Sequence, residues 1–235
     1  MQPVHGPHLP LRALRLPDRL YPRDGGTAAR VHGDLRPGGD GGRCAVSRGG
    51  VFLDRDGTIQ AAPPPGEFVT RWEEFHFLPG AVEALARLRR AGLALVLVTN
   101  QSCVARGLAT AAEVEAVHRA MQAELGRRGA AFDRVYYCPS LDPDDPDRKP
   151  NPGMIERGLA ELGLDRHRSV MAGDSARDIA AGRAAGLATV LVTSETYPGE
   201  LERARAAGAD AVFPTLPDAV DWIIERCVGR TGDDR

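Results

Sequence analysis

The sequence predicts a doubly wound α/β domain with a parallel sheet covered on both faces. Short apolar runs alternate with stretches of helical periodicity from Gly49 onward. The runs are continuous rather than alternating, as in strands buried on both faces. That order implies right-handed crossovers and one layer of strands between two of helices.

Gly50 to Leu53 is the first run and ends in Asp54. Val82, Leu85 and Leu88 recur at helical spacing, and Gly92 closes that helix as a left-handed cap. Residues 94–98 form the second strand. Thr110 and Glu113 make a capping box, after which Val114, Val117, Met121 and Leu125 line one helical face. Residues 134–137 read as a strand and 154–162 as a helix stopped by Gly163. Three further strands follow at 169–172, 189–192 and 211–213, with helices between them and Pro217 opening the last. There is no internal repeat.

The 235 residues suffice for one good core. A net charge of -2 argues against nucleic-acid or membrane-surface partners, and no run of eighteen apolar residues marks a membrane span. Cys44, Cys103, Cys138 and Cys227 are too dispersed for a C-x-x-C site, which points to free thiols in a reducing compartment and a cytoplasmic location. Residues 1–48 carry eight arginines against four aspartates, with Gly/Pro clusters and few apolar runs. Such a segment cannot offset its ordering entropy. It is expected to be a disordered tail, or sequence upstream of a start codon called too early. The domain is expected over 49–229 and a flexible C-terminus over 230–235.

In a sheet of this kind ligands sit beyond the carboxyl ends of the strands, where strand order reverses. Four strand ends carry chemistry. Asp54-Arg-Asp-Gly-Thr58 places two carboxylates at i and i+2 in a turn that Gly57 permits. Isolated acids there serve equally as turn formers, but this five-residue string directly after an apolar strand is much rarer. One carboxylate can attack phosphorus while the other moves protons. Thr99 and Asn100 can hold phosphate oxygens without adding negative charge, or cap a turn. Arg148 and Lys149 precede a stiff Pro-Asn-Pro loop. Gly173-Asp174-Ser175 with Asp178 either caps a helix or supplies a carboxylate to a hard cation.

Taken in this order, the four strings resemble the haloacid dehalogenase superfamily of phosphohydrolases over about residues 51 to 194. Longer stretches are similar to its heptose bisphosphate and histidinol phosphatase group: residues 52–59, Val98-Thr-Asn-Gln-Ser102 with Ala105-Arg-Gly107, Tyr136-Tyr-Cys-Pro139 and 148–154. The resemblance implies a small-molecule phosphatase without a cap domain, its best substrate guess a heptose 1,7-bisphosphate. Histidinol phosphate, a nucleic-acid 3′-phosphate end or another metabolite remain alternatives of the same chemistry. It further implies that Asp54 is the nucleophile and Asp56 the general acid and base. Lys149 offsets charge, and magnesium is held by Asp54, Asp174 and the Asp56 backbone carbonyl. Thr99, Asn100 and Arg148 would contact phosphate or substrate. Gly57, Thr58, Gly173 and Asp178 would support them.

Zinc-containing members of that group carry Cys-x-His and Cys-x-Cys pairs near the Arg-Lys, whereas here Cys138 is followed by Pro139 and Ser140 and the second pair is absent. No zinc is expected, and the shorter 140–147 loop should be held by its prolines. Specificity should come from this loop and from 63–77. Trp72, Phe75 and His76 either line the site or pack at its edge. A phospho-receiver module, which would be a switch rather than an enzyme, is opposed by Asp56. A P-loop kinase is excluded because no G-x-x-x-x-G-K motif occurs. The protein is expected to act as a monomer, with a small phosphorylated substrate as its partner.

Overall fold

A computed structural model describes residues 48–193 and 199–229. The expected tail (apart from Arg48), Cys44 and the C-terminal stretch 230–235 lie outside the described residues. Six strands form one all-parallel sheet: β1 (Gly50–Leu53), β2 (Ala94–Asn100), β3 (Arg134–Cys138), β4 (Val170–Gly173), β5 (Ala188–Val192) and β6 (Ala211–Phe213). Their spatial order is β3-β2-β1-β4-β5-β6. Six α-helices connect and follow them: α1 (Ala81–Arg90), α2 (Ala111–Arg127), α3 (Gly153–Leu162), α4 (Ala176–Ala184), α5 (Glu200–Ala206) and α6 (Leu216–Val228). The sheet reverses direction of growth between β1 and β4, and the carboxyl ends of both open onto that crevice.

Every expected strand and helix is present, with ends shifted by one or two residues. β2 continues through Thr99 and Asn100, because the Thr99↔Tyr137 and Asn100↔Cys138 pairings extend its ladder with β3. β4 begins at Val170 rather than Ser169. The Ser169 hydroxyl instead takes the Gly50 N–H (3.1 Å) and donates to the Asp165 carbonyl (2.6 Å), sealing the entry of both strands. The Thr110–Glu113 capping box forms as expected, and Val114, Val117, Met121 and Leu125 are all buried. Gly92 follows α1 with φ of 84°.

Two apolar layers flank the sheet. On one side Leu85, Leu88, Leu97, Met121 and Ile223 pack with Val51 and Leu53. On the other, Phe52, Val96, Met154, Ile155 and Met171 meet α3 and α4. Between β1 and α1 the only helical turn is a 3-10 turn at Trp72–Glu74. Trp72, Phe75 and Phe77 cluster there with ring centroids 5.0 to 6.4 Å apart. The aromatic cluster therefore packs onto the core, and His76 beside it is exposed.

The close approach of α3 to the sheet is testable at Gly158. A Cβ there would lie 2.6 Å from Phe52 Cε1 and 3.3 Å from Val96 Cγ1. Ala is favoured over Gly in a helix by about 1 kcal/mol, but overpacking a rigid core costs about 1–3 kcal/mol. Gly158→Ala should therefore lower the urea midpoint, and an unchanged or raised midpoint would show that α3 has room to move.

Candidate active site

Asp54 leaves β1 with its backbone N–H bonded to Ala172 of β4 (3.0 Å), so the crevice edge is set by sheet pairing. The chain then turns around the Arg55 carbonyl, which accepts from Ile59 (3.0 Å) and Gln60 (3.1 Å). Gly57 sits in this turn at φ of 80°, a left-handed conformation that favours glycine. A Cβ at that position would also fall 2.1 Å from Asp174 Oδ2. Gly173 has the same kind of constraint, since its Cβ would meet Asp178 at 2.4 Å. Both glycines let acidic side chains crowd one point.

The Lys149 ammonium, 3% exposed, is the centre of that point. It donates to Asp54 Oδ1 (2.7 Å) and the Val98 carbonyl (2.8 Å), and pairs with Asp178 Oδ1 (2.5 Å). Burial would lower the lysine, but its ion pairs with Asp178 and Asp54 outweigh this and raise it. The other oxygen of Asp178 accepts from the Ser175 hydroxyl (2.6 Å) and backbone N–H (3.1 Å) at the start of α4. Both Asp178 oxygens are thus committed.

Asp54, Asp174 and Asp178 each place an oxygen within 4.8 Å of the others. Two carboxylates at that separation repel by roughly 3 kcal/mol in a partly buried setting. Burial first, then repulsion from Asp178 and Asp56 against the attraction of Lys149, pushes Asp54 up to about 6. Burial, with Asp54 and Asp178 nearby, raises Asp174 well above the ordinary carboxylate range. One ammonium leaves this trio short of positive charge. An all-oxygen donor set with excess negative charge fits a hard divalent cation such as magnesium.

The remaining expected residues lie around the same cavity of about 440 Å³, which Asp54, Asp56, Thr99, Asn100, Arg148, Lys149, Asp174 and Asp178 all line. The Asn100 amide, expected to contact substrate, has both ends engaged by Lys149: its Nδ2 donates to the Lys149 carbonyl (3.0 Å) and its Oδ1 accepts from the Lys149 N–H (3.1 Å). It braces the loop that delivers the ammonium. Arg148 reaches the cavity while Nη1 donates to the Ser140 carbonyl (2.5 Å). Thr58 is buried beneath the turn.

The 140–147 loop is tied by side-chain hydrogen bonds that the sequence did not point to. Asp142 and Asp145 side chains accept from the N–H groups two residues on, at 3.0 and 2.9 Å. Asn151 Nδ2 donates to the Pro143 and Asp145 carbonyls (both 2.8 Å). These polar clasps add to whatever stiffness the loop's prolines supply. Cys138 beneath is fully buried, and burial pushes its thiol up to about 11.

Sequence reasoning assigned no role to Arg55, Gln60, Gln101 or His118, all buried beside Asp56. Gln101 lay in view, two residues past Thr99, but nothing local distinguishes it from a turn residue.

The HAD-hydrolase-like family model matches residues 147–219. A D-glycero-D-manno-heptose-1,7-bisphosphate 7-phosphatase of Chlorobaculum tepidum is 41% identical over 156 residues, 60% of this chain and 77% of the relative. D-glycero-beta-D-manno-heptose-1,7-bisphosphate 7-phosphatase of Escherichia coli (strain K12) is 32% identical over 182 residues, 74% and 87% of the two chains. Among solved structures, D,D-heptose 1,7-bisphosphate phosphatase from B. bronchiseptica, complexed with magnesium and phosphate, superposes with a TM-score of 0.69 at 32% identity, covering 76% of this chain and 98% of that one. The chain belongs to the haloacid dehalogenase-like hydrolases and is a phosphatase.

Because Asp54 and Asp174 hold protons more tightly than ordinary carboxylates, protons compete with a cation for them. Magnesium affinity should therefore fall as pH is lowered. At pH 5, one unit below the Asp54 value of about 6, the Asp54 contribution alone weakens binding about tenfold relative to pH 7.5. Titration calorimetry at the two pH values measures this, and equal affinities would contradict the carboxylate assignment.

Proposed function

We propose that this phosphatase removes the 7-phosphate of D-glycero-D-manno-heptose 1,7-bisphosphate through a phosphorylated Asp54. The observation that carries the reading is a charge-poised carboxylate at a β-strand end, paired with Lys149 and facing a cavity rimmed by arginines. Arg106, Arg148 and Arg177 line it, while Arg203 at the same edge is held by Glu200. A second phosphate on the substrate would meet its cations among Arg106, Arg148 and Arg177. The relatives named above act on such a bisphosphate, and the chain spans most of their length.

In this reading Asp54 attacks phosphorus and the sugar oxygen leaves with a proton from Asp56. Asp56 then removes a proton from water as the water attacks the phosphoryl group on Asp54, restoring the free carboxylate. The ester P–O bond breaks in the first step and the Asp54–phosphorus bond in the second. Asp54, Asp174 and the Asp56 backbone carbonyl would hold magnesium, which supplies charge neutralisation for an anionic nucleophile approaching an anionic phosphate. Thr99 holds a phosphate oxygen, Lys149 stabilises equatorial charge, and Asp178 keeps Lys149 in place.

Among the described residues no helix is long and apolar enough to cross a membrane. The buried free thiols of Cys103, Cys138 and Cys227 suit a reducing compartment, and we place the enzyme in the cytoplasm as a monomer.

Phosphate release from a panel of phosphorylated metabolites, with magnesium or with chelator, tests the reading. The heptose bisphosphate should give the highest kcat/KM, chelation should abolish turnover, and Asp54→Asn should lower kcat at least about a thousandfold. A higher kcat/KM for histidinol phosphate would overturn the substrate. Unimpaired Asp54→Asn would overturn the mechanism.

A further inference from the structure

Three side chains, Arg55, Gln60 and Gln101, converge on Asp56 from behind the cavity wall with His118 behind them, each no more than 1% exposed. Arg55 Nε donates to Asp56 Oδ1 (3.1 Å) and Nη2 to Oδ2 (3.2 Å). Gln101 Nε2 donates to Asp56 Oδ2 (2.9 Å), and Gln60 Nε2 to Oδ1. The same Gln101 Nε2 reaches Thr99 Oγ1 (2.9 Å), while its Oε1 accepts from Arg55 Nη2 (2.9 Å). Behind Arg55 stands His118, with Nε2 3.1 Å from Nη1.

The guanidinium can only donate, so His118 Nε2 is the acceptor and its proton resides on Nδ1. That Nδ1 is buried without a partner among the described residues. Burial and the adjacent Arg55 hold the ring well below the usual histidine range, hence neutral. A neutral acceptor orients the guanidinium without offsetting its charge.

Burying a guanidinium is costly unless its donors are satisfied and its charge is paired. The charged partner of Arg55 is Asp56, whose side chain is 27% exposed and lines the cavity. Here the cation is locked away and the carboxylate is presented to the site.

We propose that Arg55 and Gln101, backed by Gln60 and His118, are positioning residues that orient the Asp56 carboxyl toward the leaving group, and that Gln101 ties this orientation to the phosphate-holding Thr99. The inference rests on Asp56 being the general acid and base. As its proton passes to the departing sugar oxygen, the carboxylate that remains is received by donors already in place. No solvent has to reorganise around it.

The test separates positioning from folding by leaving-group dependence. A sugar alkoxide needs a proton to depart, whereas p-nitrophenolate does not. Since kcat/KM reports the steps through release of that group, only the sugar ester should respond to a misplaced acid. Gln101→Met keeps volume and removes the amide. It should lower kcat/KM for the heptose bisphosphate about 30-fold, and that for p-nitrophenyl phosphate less than about threefold. Arg55→Lys, which keeps charge and loses the fork, should show the same split, with Asp56→Asn as reference. Equal losses on both substrates in a variant that still melts cooperatively, or no loss on either, would overturn the inference. If Asp56→Asn shows the split and neither positioning variant does, the inference falls and the acid assignment stands. If Asp56→Asn shows no split, both fall. A Gln101→Met protein without a cooperative melt would assign the network to folding and likewise overturn it.

Discussion

Two acidic side chains, Asp54 and Asp178, close on one buried ammonium, and the rest of the site is arranged around satisfying that charge. Lys149 donates to Asp54 at the end of β1 and to the Val98 carbonyl within β2, and forms an ion pair with Asp178 in α4. One side chain thereby ties together three elements that are distant in sequence. The loop carrying it is held by the Asn100 amide, which grips the Lys149 backbone on both sides. Loss of the ammonium would leave buried carboxylates mutually repelling, so lysine, sheet and helix depend on one another.

The close packing of acids is possible because backbone replaces side chain at two places. Gly57 yields its Cβ volume to Asp174, and Gly173 yields its own to Asp178. These glycines are determined by the electrostatics of the site as much as by turn geometry. Asp174 is the member of the trio left outside the lysine pairing, and its raised protonation range expresses that imbalance. That charge deficit is what fits the trio to a hard divalent cation.

Two layers of charge are separated in space. Inside, Asp54, Asp174, Asp178 and Lys149 are buried. At the rim, Arg106 and Arg177 are exposed. With only a 3-10 turn between β1 and α1, that side of the rim is built from loops. Folding 140–147 through Asx-type hydrogen bonds and Asn151 keeps Arg148 directed at the cavity.

The sequence by itself determined the order of strands and helices, because continuous apolar runs and helical spacing are local patterns. Gly50–Leu53 and the Thr110 capping box were legible to the residue. So were the acids at the strand ends, since the residue after a buried strand in such a sheet has few places to go. The strand ends at Asn100 and Ser169 were not, because pairing with β3 and a side-chain bond to Gly50 decide them. Only the tertiary structure showed that Asn100 serves Lys149. Only it showed that Arg55, Gln101 and His118 gather behind Asp56, where Arg55 and His118 lie 63 residues apart along the chain. Partners at such separations are chosen by the packing of β1, β2 and α2, which no local pattern encodes.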